Sequence, residues 1–297
     1  MPMNNKLQRW AALLFIPFAA CNNISNTNTK VEKKDTVSQQ NILTKVEDFW
    51  ENYDFTDTAK IKDPDYGEQA FVDFINLFPN SSEESITKGI DRWIEKSVTA
   101  GKEVFKSFDS IADKYLYNVN SPYYNEKYYA LILKQYIQSP VVDKLRKEKY
   151  KILLDLINKN NVGTPATDFT FKTQENKNYS LYRIKSDYII LFFYQPGCPV
   201  CEQHISLLRE NTLFQDLLKK NVTMLAIYPD GDEKKWENYK ENIPVSWING
   251  MDSNKDLLNK RLYDLKASPT IYLLDKDKKV IFKDGNISDI LTYLQRR

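Results

Sequence analysis

Histidine is nearly missing from this chain of 297 residues: His204 is the single one. One imidazole argues against a His-rich metal centre. Cysteine is almost as scarce. Of three, Cys21 stands alone near the start while Cys198 and Cys201 form a close pair, so none is left for a structural disulfide. Net charge is small as well. A formal balance of +2, with 42 Lys and Arg against 40 Asp and Glu, gives no support for nucleic-acid binding or for an electrostatic membrane surface. Long apolar runs are also lacking: residues 10–20 are uncharged and apolar, but fall far short of the roughly 20 residues a membrane-spanning helix needs. What the chain does have is apolar and aromatic side chains, 42% and 13%, enough for a real core and too many for disorder. Its length suggests two domains.

The most telling stretch is residues 188–201, YIILFFYQPGCPVC. Seven apolar or aromatic residues, 188–194, are a run of strand length, read as a strand buried on both faces. Gln195-Pro196-Gly197 ends it, because Pro and Gly break a ladder. Cys198-Pro199-Val200-Cys201 follows, and a helical pattern runs on through Ile205, Leu208, Leu213 and Leu217. Cys198 is thus predicted at a helix N-terminus, where free N–H groups and the helix dipole favour a thiolate and lower its pKa. Pro199 suits the first turn, since the N–H it lacks would be unbonded there. Two cysteines spaced this way can close a small, reducible disulfide, which makes this a redox site.

Residues 1–20 read as a targeting segment. Lys6 and Arg9 supply a positive start, and Ala19-Ala20-Cys21 places small residues before a cysteine. This resembles a bacterial lipoprotein signal peptide, which implies cleavage before Cys21 and lipidation of that residue; Phe18 departs from the commoner Leu. Residues 21–40, rich in Asn, Ser, Thr and Lys, read as a flexible tether. From 41 to 160 the period is helical. Phe71, Phe74 and Ile75, then Ile86, Ile90 and Trp93, then Phe105, Phe108 and Ile111 recur at three and four residues. Ser81 and Glu84 have capping-box spacing. A compact all-α domain follows, whose aromatics are expected in its core rather than in a binding groove.

Beyond residue 162 the pattern changes to strands at 168–172, 179–181, 222–228, 246–248, 267–274 (with proline at its entrance) and 280–283. Helices are expected at 234–241, 255–263 and 287–294, giving an α/β sheet. The opening Gly163-Thr164-Pro165-Ala166 with Asp168 and Phe169, the strand-to-CxxC turn, and Ser268-Pro269-Thr270 together resemble the thioredoxin-fold domain of TlpA/ResA-like extracytoplasmic thiol–disulfide oxidoreductases. The stretch 222–265 is similar to the extra helix and strand of that group. Residues 41–160, with FWENYDF near their start, resemble the helical, DUF5106-like domain of unassigned function in Bacteroidetes lipoproteins. The resemblance implies an α/β thioredoxin fold over 162–297 preceded by the helical domain.

It also implies roles. Cys198 would attack a partner disulfide and Cys201 resolve the mixed disulfide. Pro269 would be cis and face both sulfurs, aligning a partner chain, with Gly197, Pro199, Val200 and Ser268 in support. No cofactor beyond the Cys198–Cys201 disulfide is implied. Partners would be envelope protein thiols and disulfides, an upstream redox partner, and the membrane through the lipid anchor, facing the periplasm. The chain departs from the thioredoxin pattern in Phe192, which stands where an Asp is usual, in Gly197 for Trp, and in Val200 for Pro. These departures leave the direction of electron flow open, with a reductant the group's commoner role. His204 either tunes Cys201 or is an ordinary helix residue. A peroxiredoxin needs Pro and Thr seven and three places before its reactive cysteine. Leu191 and Gln195 precede Cys198, and Tyr194 and Cys198 precede Cys201, so that class is excluded. A zinc site lacks a second pair of ligands. The alternative function is a redox-inactive envelope scaffold that holds a partner with its helical domain.

Overall fold

The computed structural model describes residues 45–297. The expected signal segment, the tether and Cys21 lie outside the described residues.

The helical region begins with a short 3-10 turn, Val46–Asp48. Among the described residues six α-helices follow: α1 (Thr58–Ile61), α2 (Gln69–Asn76), α3 (Glu83–Ala100), α4 (Lys102–Ala112), α5 (Glu126–Gln138) and α6 (Lys144–Ile157). Their apolar faces meet in one aromatic core. Trp50 and Trp93 are fully buried, and the ring of Phe108 meets both edge-on at 5.5 and 5.9 Å. The aromatics are therefore packing, as their spacing suggests. One capping detail differs from expectation. Ser82, not Ser81, caps α3 by accepting from the Ser85 N–H, while the Ser81 hydroxyl donates back to the Leu77 carbonyl. Phe78–Asn80 forms a 3-10 turn around Pro79, which delays the start of α3 by one residue.

After α6 come β1 (Thr170–Thr173), β2 (Asn178–Ser180), β3 (Tyr188–Phe193), α7 (Pro199–Glu210), α8 (Thr212–Leu218), β4 (Val222–Tyr228) and α9 (Glu233–Tyr239). Then follow β5 (Ile248–Met251), α10 (Asp256–Asn259), β6 (Thr270–Asp275), β7 (Val280–Phe282) and α11 (Ile287–Gln295). Among the described residues seven strands make one mixed sheet, ordered β2-β1-β5-β4-β3-β6-β7. β3 is an interior strand, parallel to β4 and antiparallel to β6. Side chains alternate across it: Ile190 and Phe192 enter the core on one face, Ile189, Leu191 and Phe193 the core on the other. That explains an apolar run without polar alternation.

Three elements differ from the sequence reading. The long helix after the cysteines is two helices, because Asn211 leaves helical geometry and its side chain accepts from the Phe214 N–H at 2.8 Å, capping α8. The strand expected at 246–248 begins at Ile248, since the Trp247 N–H is used in a turn on the Pro244 carbonyl. The helix expected over 255–263 shrinks to α10, entered through a left-handed Lys255 and fixed by Asp252, whose carboxylate accepts from the Leu257 N–H at 2.7 Å.

Candidate active site

The register of β3 against β6 builds the site. Phe193, the last residue of β3, pairs with Thr270, the first of β6. The turn leaving one strand and the turn entering the other therefore meet at the same edge. In the first, the Cys198 N–H closes on the Gln195 carbonyl at 3.1 Å, with Gly197 at φ +78°. An L side chain is strained at that φ, although a Cβ there would touch nothing within 4 Å. Cys198 is the N-cap of α7 and Pro199 its first residue.

The Cys201 N–H donates to Cys198 Sγ at 3.2 Å, and the Cys201 thiol donates to the same sulfur at 2.7 Å. Cys198 is half-buried and Cys201 fully buried. Burial, reinforced by the neighbouring Cys198 sulfur, pushes the Cys201 thiol up to about 12. Across the edge, the Ser268–Pro269 peptide is cis, and the Ser268 carbonyl oxygen lies 3.5 Å from Cys198 Sγ. Cys198, Cys201, Ser268 and Pro269 thus come together, with Gly197, Pro199 and the exposed Val200 forming the turn around them. Phe192 is wholly buried in the core cluster that also holds Cys201, so apolar surface stands where the thioredoxin pattern has an Asp.

His204 does not join the sulfurs. Its Nδ1 lies 2.8 Å from the Val200 carbonyl and donates to it, making it a half-buried residue tied to its own helix. Two residues near the sulfurs were given no site role by the sequence. Tyr239, at the end of α9, is buried in the same cluster as Cys201, and its hydroxyl has no hydrogen-bond partner among the described residues. Burial first, then the Glu202 carboxylate and the two sulfurs, push that hydroxyl up to about 12. Tyr194, just past β3, donates its hydroxyl to Asn249 of β5 at 2.9 Å. Tyr239 had no sequence signal, because α9 reaches the site only through the sheet; Tyr194 lies in the stretch before the cysteines, but its partner Asn249 on β5 could not be foreseen.

A groove of about 260 Å³ runs beside the dithiol, between Val200 and His204 on one side and Pro269 and Ile287 on another. Val119 and Asn120, from the helical region, line it too. A larger cavity of about 600 Å³ lies near Tyr188, at the opposite end of β3 from the cysteines, and is remote from this chemistry.

Residues Thr44–Arg297 form one compact unit, and a buried ionic cluster lies between helical region and sheet. Lys266 Nζ is 2.7 Å from Glu126, 2.8 Å from Asp264 and 2.9 Å from Asp284, and Lys283 Nζ is 2.7 Å from Glu126. Burial alone would lower Lys266, but Asp284, Asp264 and Glu126 outweigh it and hold the ammonium well above its usual range. Burial would raise Glu126, yet Lys266 and Lys283 hold its carboxyl below the ordinary value. Three carboxylates face two ammonium groups, and burial leaves Asp284 raised despite Lys266 beside it.

Comparison with known proteins follows this division. The family described as "Domain of unknown function (DUF5106)" matches residues 31–160, and the AhpC/TSA family matches residues 162–283. A thioredoxin-like protein from Bacteroides caccae is similar over 85% of this chain and 91% of its own, with 36% identity and a TM-score of 0.72. The C-terminal domain of an uncharacterized Bacteroides fragilis protein is 35% identical, covering 46% of this chain and 98% of its own (TM-score 0.45). The thioredoxin domain of a thiol-disulfide oxidoreductase from Bacteroides vulgatus is 22% identical, covering 46% and 96% (TM-score 0.40). No curated protein matches the chain.

Proposed function

The chain belongs to the thioredoxin-like proteins, with a DUF5106 domain before the thioredoxin-like one, and from that premise we propose that it is a thiol–disulfide oxidoreductase that reduces protein disulfides in the cell envelope while anchored by lipid on Cys21. The observation that carries the redox reading is the Cys198 sulfur. It is partly open to solvent, receives an N–H from the start of α7, and has the buried Cys201 sulfur 2.7 Å behind it.

In the reductive direction the Cys198 thiolate attacks one sulfur of a substrate disulfide. The substrate S–S bond breaks, its other sulfur leaves and takes a proton, and a Cys198–substrate disulfide forms. Cys201 then gives up its proton and attacks Cys198 Sγ, releasing the second substrate thiol. The substrate gains two electrons and two protons, and a Cys198–Cys201 disulfide remains for an upstream dithiol to reduce. The electrons travel on these two sulfurs alone, so the reading needs no bound cofactor. Leu191 and Gln195 in place of Pro and Thr leave a peroxiredoxin mechanism unsupported, although the AhpC/TSA family matches this region.

The lipid anchor is supported by the apolar run ending in Ala19-Ala20-Cys21 and by the polar stretch after it; the reading places the domain facing the periplasm. Labelled fatty acid is expected to enter the wild type and not Cys21→Ser, and equal labelling of the two would remove the anchor. The direction is tested by equilibrating the purified protein with glutathione mixtures. A reductant is expected at or below about −230 mV, whereas a value near −120 mV would mark an oxidant. A protein that exchanges no disulfide at all would leave only the scaffold role.

A further inference from the structure

Both ends of the turn that carries Val119 and Asn120 are fastened to the sheet domain. At one end the Tyr117 hydroxyl donates to both carboxylate oxygens of Asp264, at 2.9 and 2.7 Å. At the other, the Tyr124 hydroxyl donates to Asp284 at 2.6 Å. Lys266 sits between these two carboxylates, 4.7 Å from the ring of Tyr117 and 5.5 Å from that of Tyr124. Asp264 and Lys266 lie just ahead of Pro269, and Asp284 precedes the loop that lines the groove opposite it. The turn is thus held at the groove by the segments that frame the dithiol, and the two residues at its tip form part of the groove wall.

We propose that this turn of the helical domain is a fixed wall of the substrate groove, and that the groove takes an extended, uncharged stretch of polypeptide flanking the disulfide to be reduced. The proposal rests on the dithiol reading above and assigns part of the substrate selection to the DUF5106 domain. Three features argue for that occupant. The volume, about 260 Å³, lies below the usual range of small-molecule pockets and suits side chains of a chain lying across it. The lining is apolar at Val119, Val200, Pro269 and Ile287, with the Asn120 amide at the exposed rim. The one carboxylate in the lining, Asp284, is already engaged by Lys266 and Tyr124, and the one imidazole, His204, is tied through Nδ1 to the Val200 carbonyl, so the groove offers no free carboxylate or ammonium group to a charged segment.

The test places a charge on the rim of the full-length chain. Asn120 is exposed and outside any helix or strand, so Asn120→Lys and Asn120→Asp leave the packing untouched. Each variant is given two disulfide peptides that differ only in having Glu or Lys beside the cystine, and the ratio of their kcat/KM values is read. Relative to wild type, Asn120→Lys should move the ratio about threefold toward the Glu peptide and Asn120→Asp about as far the other way, both shifts shrinking at high salt. Ratios that stay at the wild-type value in both variants would overturn the wall. A wild type that reduces neither peptide, nor any small disulfide, would instead overturn the redox reading beneath it. The ratio is insensitive to the fraction of protein folded, so partial misfolding of a variant would not imitate either result.

Discussion

Lys266 Nζ lies 2.7 Å from Glu126 Oε1, joining residues 140 apart in the chain across the boundary between helices and sheet. The Lys266 side chain is 9% exposed, and its carboxylate partners Asp264 and Asp284 are 3% and 4% exposed. Taking out one member of such a group leaves the others charged and desolvated, a loss of about 3–5 kcal/mol. Lys266→Met is therefore expected to lower stability by about that amount in urea denaturation. Lys88→Met, which removes an exposed pair with Glu84 on α3, is expected to have no measurable effect. Equal midpoints for the two variants would mean that the cluster does not hold the domains together.

Much of this molecule is legible in its sequence, and what is not has physical reasons. The β3 run, the turn at Gln195–Gly197 and the CxxC helix start are local signals, each carried by a few adjacent residues. The aromatic spacing of α2 to α4 likewise predicts buried faces, and Phe71, Trp93 and Phe108 are buried. Lys266, Asp264, Asp284 and Glu126 carry no such signal, because charged side chains are ordinarily exposed and only tertiary contact shows them burying one another. Tyr239 joins the core cluster of Cys201, and the Val119–Asn120 tip the groove beside the dithiol, from distant parts of the chain, which no spacing rule reveals. Asn211 is legible in retrospect: an Asn followed by Thr inside an apolar helical pattern is a helix cap that periodicity alone passes over.

Gly197 holds φ +78° with open space where a Cβ would stand. Its requirement is therefore conformational and not steric. Gly197→Ala should destabilise the protein by about 1–2 kcal/mol, the cost of a left-handed L residue, without a packing defect. Denaturation midpoints of the reduced proteins measure it. A variant as stable as wild type would mean that the turn relaxes freely to another backbone shape.

Burial pushes the Cys201 thiol up to about 12, whereas in an unfolded chain a cysteine ionises near 8.5, roughly. A folded-state value above the unfolded one contributes stability that is full below pH of about 8.5 and is lost as pH rises toward 12. Over that window the reduced wild type should lose stability more steeply than Cys201→Ala, by up to about 1.4 kcal/mol per pH unit, the limit for one proton. Tyrosines titrate in the same range but are common to both proteins and cancel in the difference. Parallel alkaline profiles would show that Cys201 ionises as readily in the fold as out of it.

The two sulfurs differ in access, and that difference assigns their order of reaction. Cys198 is half-buried next to the exposed Val200, with the Ser268 carbonyl on its other side. Cys201 has no solvent exposure and reaches the outside only through Cys198. An incoming disulfide therefore meets Cys198, and Cys201 acts afterwards from within. Cys201→Ser should still attack partners but be unable to release them, so mixed disulfides through Cys198 accumulate. Cys198→Ser should trap little, because the remaining sulfur is covered. Non-reducing gels of envelope extracts, with each trapped band identified by mass, make the comparison. Trapping through Cys198→Ser as abundant as through Cys201→Ser would reverse the assignment. Release of partners by Cys201→Ser at the wild-type rate would mean that some group other than Cys201 resolves the mixed disulfide.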